Sequence, residues 1–369
     1  MKKIITLCFT LTTTIMLAQN TQHSKVIDSL LQKSIKENNI PAMATAVITG
    51  DNVFYGTAGT ISNKSSEAVT NKTLFHIGSN TKAFTSFLAF QQIEKGNLSL
   101  ETPFFSLFPE LKNEKNSAYH SITLKDLLSH NAQVQPFTAG AEFLSLKITA
   151  KTTESKRVEF AQQVLTQPTV EKGTYSNAGY VLAAMMIEKS AKKSYEDLLT
   201  DFMKQQNWDY SFGFPNKKNL NEAWGHWVEN NKLTALPPTH LYKLEDFMLS
   251  AGDLSMNITD YAAWLQLHLK GYNSETGILK QENFKKMHFE VDNYSYGWGN
   301  TVQGNQKLSF HDGTTGTFYT HAILIPENKL GITIFANAAD EKHVEAIYEM
   351  QQQLISQFKK ITNGNNSKP

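Results

Sequence analysis

A serine and a lysine three residues apart, Ser79 and Lys82, precede a long apolar stretch of the chain. On a helix, this spacing places the two side chains on one face, one turn apart. A serine hydroxyl is a poor nucleophile until a base takes its proton, and a lysine amine can be that base when burial lowers its pKa. The pair therefore predicts a nucleophile with its base, although the same spacing also occurs on solvated helix surfaces.

The segment from Thr81 to Lys95 is predicted to be a helix that is apolar almost all round and therefore buried. Gly96 provides its natural end. A buried helix is a rigid support for a nucleophile. Its N-terminus also supplies N–H groups and a positive dipole end, which favour a developing oxyanion.

Two further short motifs follow along the chain, Tyr175 with Asn177 and His311 with Gly313. A tyrosine hydroxyl next to a lysine can relay protons, and an asparagine amide offers a donor and an acceptor. Alternation along a strand places His311 and Gly313 on the same face, where the glycine lets a ligand approach the backbone. The alternative interpretations are a simple turn for the first motif and a glycine-rich hairpin for the second.

Strand patterns occur near both ends of the chain. Ala42 to Thr49 and Val53 to Ala58 form a predicted hairpin, and four more strands are predicted between residues 296 and 336. They indicate an α+β fold with one antiparallel sheet that is built from both chain ends and flanked by helices. The predicted division is a sheet lobe of residues 19–100 and 246–369 with an inserted, mainly helical lobe of residues 101–245.

The two termini and the charge balance set the expected location and partners. Residues 1–18 have the charged start, apolar core and small final residue of a signal peptide, and residues 363–369 are predicted to be disordered. We expect a periplasmic or secreted protein without a stable membrane anchor after cleavage; a retained anchor is the alternative. With 35 basic and 34 acidic residues and no basic stripe, nucleic acid is not an expected partner. No metal or cofactor motif occurs.

The three motifs, taken in order, resemble those of the serine β-lactamase-like superfamily. This superfamily contains class C β-lactamases, D-Ala-D-Ala carboxypeptidases, D-aminopeptidases and related esterases. Its signature is Ser-x-x-Lys, then Tyr-x-Asn, then Lys-Thr-Gly or His-x-Gly, and the Tyr-x-Asn version resembles the class C side. The flanking segments also agree, over residues 75–85, 93–100, 122–130, 251–255 and 260–264.

The resemblance implies an acyl-enzyme on Ser79. It also implies that Lys82 and Tyr175 share the proton transfers, and the sequence leaves their division open. Backbone N–H groups of Ser79 and Thr314 are implied to form the oxyanion hole. The implied substrate-binding residues are Asn177, His311, Gly313 and Thr314.

Three functions are compatible with these residues. The first is an exported serine hydrolase that acts on an ester, an amide or a D-amino-acid peptide, with a small molecule or a cell-wall peptide as substrate. The second is a penicillin-binding sensor or cell-wall-binding module that is acylated without turnover. The third is an inactive scaffold. An intact Tyr175, as a candidate base for the deacylating water, favours turnover.

The third motif begins with His311 and continues with Asp312, where relatives often have lysine and a hydroxyl residue. An unperturbed histidine is mostly neutral at pH 7, and an ionised aspartate repels a substrate carboxylate. These residues predict a preference for neutral esters or amine-bearing substrates over β-lactams. In the alternative interpretation, Asp312 points away from the cleft and caps a turn.

Overall fold

The structure, a computed structural model, describes residues 23–365, so the predicted signal peptide lies outside the described residues. The strands are β1 (Ala42–Thr49), β2 (Asn52–Gly59), β3 (Leu74–His76), β4 (Tyr210–Phe212), β5 (His226–Glu229), β6 (Lys232–Ala235), β7 (Leu254–Asn257), β8 (Gly299–Gln303), β9 (Gln306–Thr314), β10 (Tyr319–Ile325) and β11 (Leu330–Ala336). The helices are α1 (residues 23–38), α2 (Thr81–Glu94), α3 (Phe104–Leu107), α4 (Leu124–Leu128), α5 (Thr153–Val164), α6 (Asn177–Ala191), α7 (Tyr195–Gln206), α8 (Leu249–Gly252), α9 (Ile258–Tyr272), α10 (Gln281–Phe289) and α11 (Glu341–Asn365).

The central sheet combines strands from both ends of the chain in the order β2-β1-β11-β10-β9-β8. Every neighbouring pair is antiparallel, and Met43 of β1 lies opposite Ala336 of β11. The predicted α+β class with one antiparallel sheet is therefore confirmed. The final helix extends to Asn365, into the segment for which the sequence predicts disorder.

Helices cover both faces of this sheet, which explains why β1 and β11 are buried along their whole length. On one face, Val47 and Ile332 pack with Ile27 of α1 and Ile347 of α11. The opposite face joins a larger core that contains α2, α6 and α9. Within that core, Phe84 of α2 stacks on Trp264 of α9 with ring centroids 4.1 Å apart. Helix α2 is therefore enclosed, as its apolar sequence predicts.

Residues 101–245 supply α3 to α7, and they also contain a small hairpin of β5 and β6 that the sequence analysis did not predict. The hairpin turns at Asn230 and Asn231, which both have positive φ angles, of 50° and 60°. Two consecutive left-handed residues are the mark of a type I′ turn, for which asparagine is well suited. The Asn-Asn pair was the available signal; both strands are too short for periodicity to reveal.

The turn before α2 lies directly against strand β9. Gly78 in this turn has a φ of 51°, and a Cβ atom there would lie 2.5 Å from the backbone nitrogen of Thr314. A Cβ atom on Gly313 would lie 2.0 Å from the carbonyl oxygen of Ile77. Both separations are far shorter than a van der Waals contact, so glycine is required on each side. This close approach places Ser79 beside Thr314.

A methyl group at Gly313 should push the turn and the strand apart. We expect Gly313→Ala to lower the free energy of unfolding by ~1–3 kcal/mol, as overpacking does, measured by urea denaturation. Gly277→Ala is the matched control because nothing lies within 4 Å of a Cβ atom there. It should change the value by less than ~0.5 kcal/mol. Equal free energies for the two variants would contradict a tight contact at Gly313.

Candidate active site

The structure brings the three sequence motifs together around one cavity. Ser79 lies in the one-turn 3-10 helix Gly78–Asn80 that leads into α2, and Asn177 is the first residue of α6. Both line a cavity of about 590 Å³ together with Thr314 at the end of β9. Ser176 is the N-cap of α6 and accepts a hydrogen bond from the backbone of Gly179. The second motif is therefore a helix start rather than an isolated turn.

Lys82 is completely buried and faces Ser79. Its Nζ atom lies 3.1 Å from the Ser79 hydroxyl, 2.6 Å from Oδ1 of Asn177 and 2.5 Å from the carbonyl oxygen of Ala251. Burial lowers the pKa of Lys82 well below its ordinary value. A neutral amine has two N–H groups and one lone pair, and the amide and carbonyl oxygens can only accept. The lone pair is thus left for the proton of the serine hydroxyl.

Tyr175 lies near Ser79 and Lys82, and burial shifts its pKa in the direction opposite to that of Lys82. The centre of its ring lies 4.7 Å from Nζ of Lys82, and the Ser79 side chain is close enough to lower the pKa of its phenol in part. Burial raises the pKa of the Tyr175 phenol well above its ordinary value. The serine hydroxyl therefore lies near an amine whose neutral form burial favours and a phenol whose protonated form burial favours.

His311 has a fixed tautomer and no charge at neutral pH. Its Nδ1 atom lies 2.7 Å from the backbone carbonyl oxygen of Asp312, which can only accept, so Nδ1 carries the proton. Nε2 then accepts a hydrogen bond from the Tyr294 hydroxyl at 3.0 Å. Burial lowers the pKa of His311 to about 4. Tyr294 was missed by the sequence analysis, because no motif spacing connects it with His311.

Asp312 points to the opposite face of β9. Its carboxylate lies 2.7 Å from Nδ1 of His321 and accepts a hydrogen bond of 2.7 Å from the hydroxyl of Tyr348 on α11. Strand alternation explains this direction, since the neighbours His311 and Gly313 occupy the site-facing side. The interpretation in which Asp312 faces the cleft and repels a carboxylate is therefore wrong. Asp312 connects β9 to the last helix.

A buried pair, His76 and Asp253, holds the turn that carries Ser79. Nδ1 of His76 accepts a hydrogen bond of 3.0 Å from the backbone N–H of Gly78. Nε2 of the same ring donates to Asp253 at 2.9 Å. Each residue is less than one-tenth exposed. The sequence analysis did not single out either residue, because they lie 177 positions apart.

Within residues 23–365, no helix combines the length and the apolar character needed to cross a bilayer. The same part of the chain contains no group of three or more His, Cys, Asp or Glu side chains that could hold a metal ion.

Comparisons with known proteins agree on one family. The beta-lactamase family model matches residues 27–355. The chain is 25% identical to a beta-lactamase of Escherichia coli K12, over 86% of this chain and 89% of that protein. It is 22% identical to the protein Flp of Staphylococcus aureus strain COL over 89% of its own length, but it spans only 66% of Flp.

Solved structures show the same fold. A penicillin-binding protein homologue from Pyrococcus abyssi, described as octameric, superimposes with a TM-score of 0.71 at 21% identity and covers 89% of this chain and 77% of its own. A structure of SurE gives 0.74 at 21% identity and covers 90% and 76%. Because the family model matches most of the chain, with the three motifs gathered around one cavity, this protein belongs to the beta-lactamase family.

Proposed function

We propose that this protein is a serine hydrolase in which Ser79 forms an acyl-enzyme and Lys82 is the base for its formation. The observation that carries this proposal is the environment of the Lys82 amine. Two of its three polar neighbours, Oδ1 of Asn177 and the carbonyl oxygen of Ala251, can only accept hydrogen bonds, and the third is the Ser79 hydroxyl. Burial lowers the pKa of the amine and so favours its neutral form, whose lone pair can accept the hydroxyl proton.

Each step of the proposed reaction balances its protons. Lys82 takes the hydroxyl proton as Ser79 Oγ attacks the substrate carbonyl. The oxyanion accepts hydrogen bonds from the backbone N–H groups of Ser79 and Thr314. When the bond to the leaving group breaks, Tyr175 gives that group a proton and regains one from the protonated Lys82, whose Nζ atom lies 4.7 Å from the centre of the Tyr175 ring. Water then attacks the acyl-enzyme by the reverse route and releases the acid. We thus assign the base role, which the sequence leaves open, to Lys82.

The proposed substrate class is an ester, an amide or a D-amino-acid peptide, and export through residues 1–18 stays a prediction. The alternative, a penicillin-binding sensor, shares acylation of Ser79 and lacks the water step. Product release over many turnovers therefore separates the two functions.

Ser79 should carry the covalent intermediate. A fluorophosphonate probe should add mass to the peptide that contains Ser79, and Ser79→Ala should abolish both this label and the hydrolysis of p-nitrophenyl butyrate. Ser99→Ala, at an exposed position, is the control and should behave as wild type. Labelling without sustained p-nitrophenol release would favour the sensor. Wild-type hydrolysis by Ser79→Ala would contradict the assignment.

Lys82 should set the acid limb of the pH profile. Since its neutral form is the base and burial lowers its pKa, kcat/KM should rise with increasing pH, with a midpoint well below ~10.4, the ordinary lysine value.

Lys82→Ala and Tyr175→Phe should each reduce kcat by ~10²–10⁴. The double variant should lose much less than the product, because both act on one proton path. Fully multiplicative losses would show that the two groups act separately.

His76 should act as a positioning residue for Ser79. Replacing it with leucine removes the acceptor for the Gly78 N–H group, so kcat should fall ~10-fold or more with little change in KM. His76→Asn keeps an acceptor near the place of Nδ1 and should recover part of kcat and of the labelling rate. Two variants with the same kcat would mean that the ring serves packing alone.

A further inference from the structure

The cavity next to Ser79 has aromatic side chains on two sides. One wall contains Phe137 and Phe143, whose ring centroids lie 5.3 Å apart in an edge-to-face arrangement. The other contains Trp227 and Tyr242, with centroids 4.8 Å apart. Aromatic and apolar walls of this kind bind apolar groups by removing their surface from water.

Both aromatic walls are fixed to the backbone of the candidate active site. The carbonyl oxygen of Phe137 accepts a hydrogen bond of 2.9 Å from the side chain of Asn177. The hydroxyl of Tyr242 donates to the carbonyl oxygen of Thr315 at 2.7 Å. Trp227 packs so closely on Gly316 that a Cβ atom there would lie 3.1 Å from its ring. The walls are therefore preformed relative to Ser79 rather than carried by independent loops.

Among the described residues that line the cavity, none is a buried cation that could bind a carboxylate. The single arginine, Arg157, is buried elsewhere in ion pairs with glutamates of α6 and α7. Burial lowers the pKa of His311 to about 4, so this side chain is neutral at pH 7. The charged residues among those that line the cavity are Lys243 and Glu245, which are exposed and of opposite sign.

We propose that this cavity binds the acyl part of neutral esters, with a preference for an aromatic or medium-length alkyl acyl group over a small or carboxylate-bearing one. This inference rests on the proposed function, since the bound acyl group must reach Ser79. Attack by Ser79 forms the new ester and releases the alcohol. The acyl chain then lies between the two aromatic walls until water releases the acid.

The wild-type protein should separate substrates by size and by charge. We expect kcat/KM for p-nitrophenyl phenylacetate to exceed that for p-nitrophenyl acetate by about 10-fold or more, the scale at which an apolar pocket discriminates. p-Nitrophenyl pentanoate and p-nitrophenyl hemisuccinate have similar lengths but differ in charge. The pentanoate should be preferred by a similar factor.

Variants of each wall should remove the preference. Trp227→Ala and Phe143→Ala should each lower the phenylacetate-to-acetate ratio of kcat/KM by about 10-fold. Trp224→Ala is the matched control, because Trp224 is not among the residues that line the cavity, and it should keep the ratio. Two variants on separate walls keep the test valid if one of them does not fold.

The initial burst of p-nitrophenol measures acylation alone, so the preference can be read even if the acyl-enzyme does not turn over. A burst without turnover would contradict the proposed hydrolase and leave the acyl preference to be judged on burst rates. Equal rates for acetate and phenylacetate in wild type would overturn the inference. A preference for the hemisuccinate would do the same.

Discussion

The contact between the Gly78 turn and strand β9 is the constraint on which the site depends. It joins the start of the buried helix α2 to the central sheet, with glycine required on both sides. Because the two backbones touch, the position of Ser79 relative to Thr314 is set by main-chain packing rather than by flexible side chains. His76 supports the same turn from the other side through the N–H group of Gly78. The nucleophile thus sits on a rigid support.

Burial of Lys82 gives this rigid support its chemistry. A charged amine at that depth would need full compensation, and the two oxygens of Asn177 and Ala251 are its polar neighbours besides Ser79. Burial therefore lowers the pKa of this amine and favours its neutral form. The same surroundings disfavour ionisation of the Tyr175 phenol. A single physical cause, the exclusion of water, thereby gives two adjacent groups opposite tendencies in proton transfer.

Local sequence patterns predict part of this structure, and contacts between distant parts of the chain determine the rest. Periodicity and spacing in the sequence predict the buried helix α2, the strands of the central sheet and the motif residues Ser79 and Lys82. The pairs His76–Asp253 and Tyr294–His311 do not, because only the fold brings their members together. The direction of the Asp312 side chain could be predicted from the sequence. The strand alternation that places His311 and Gly313 on the face of the site directs Asp312 to the opposite face.

Strand β11 has a consequence for how the chain is made. It lies between β1 and β10, so the sheet remains in two pieces until residues 330–336 have been synthesised. At about 5–20 residues per second, the edge of β1 waits on the order of 15–60 s for its partner after leaving the ribosome. During that interval an apolar strand offers unpaired N–H and C=O groups to any other chain. Self-association of nascent protein is the hazard that this topology creates.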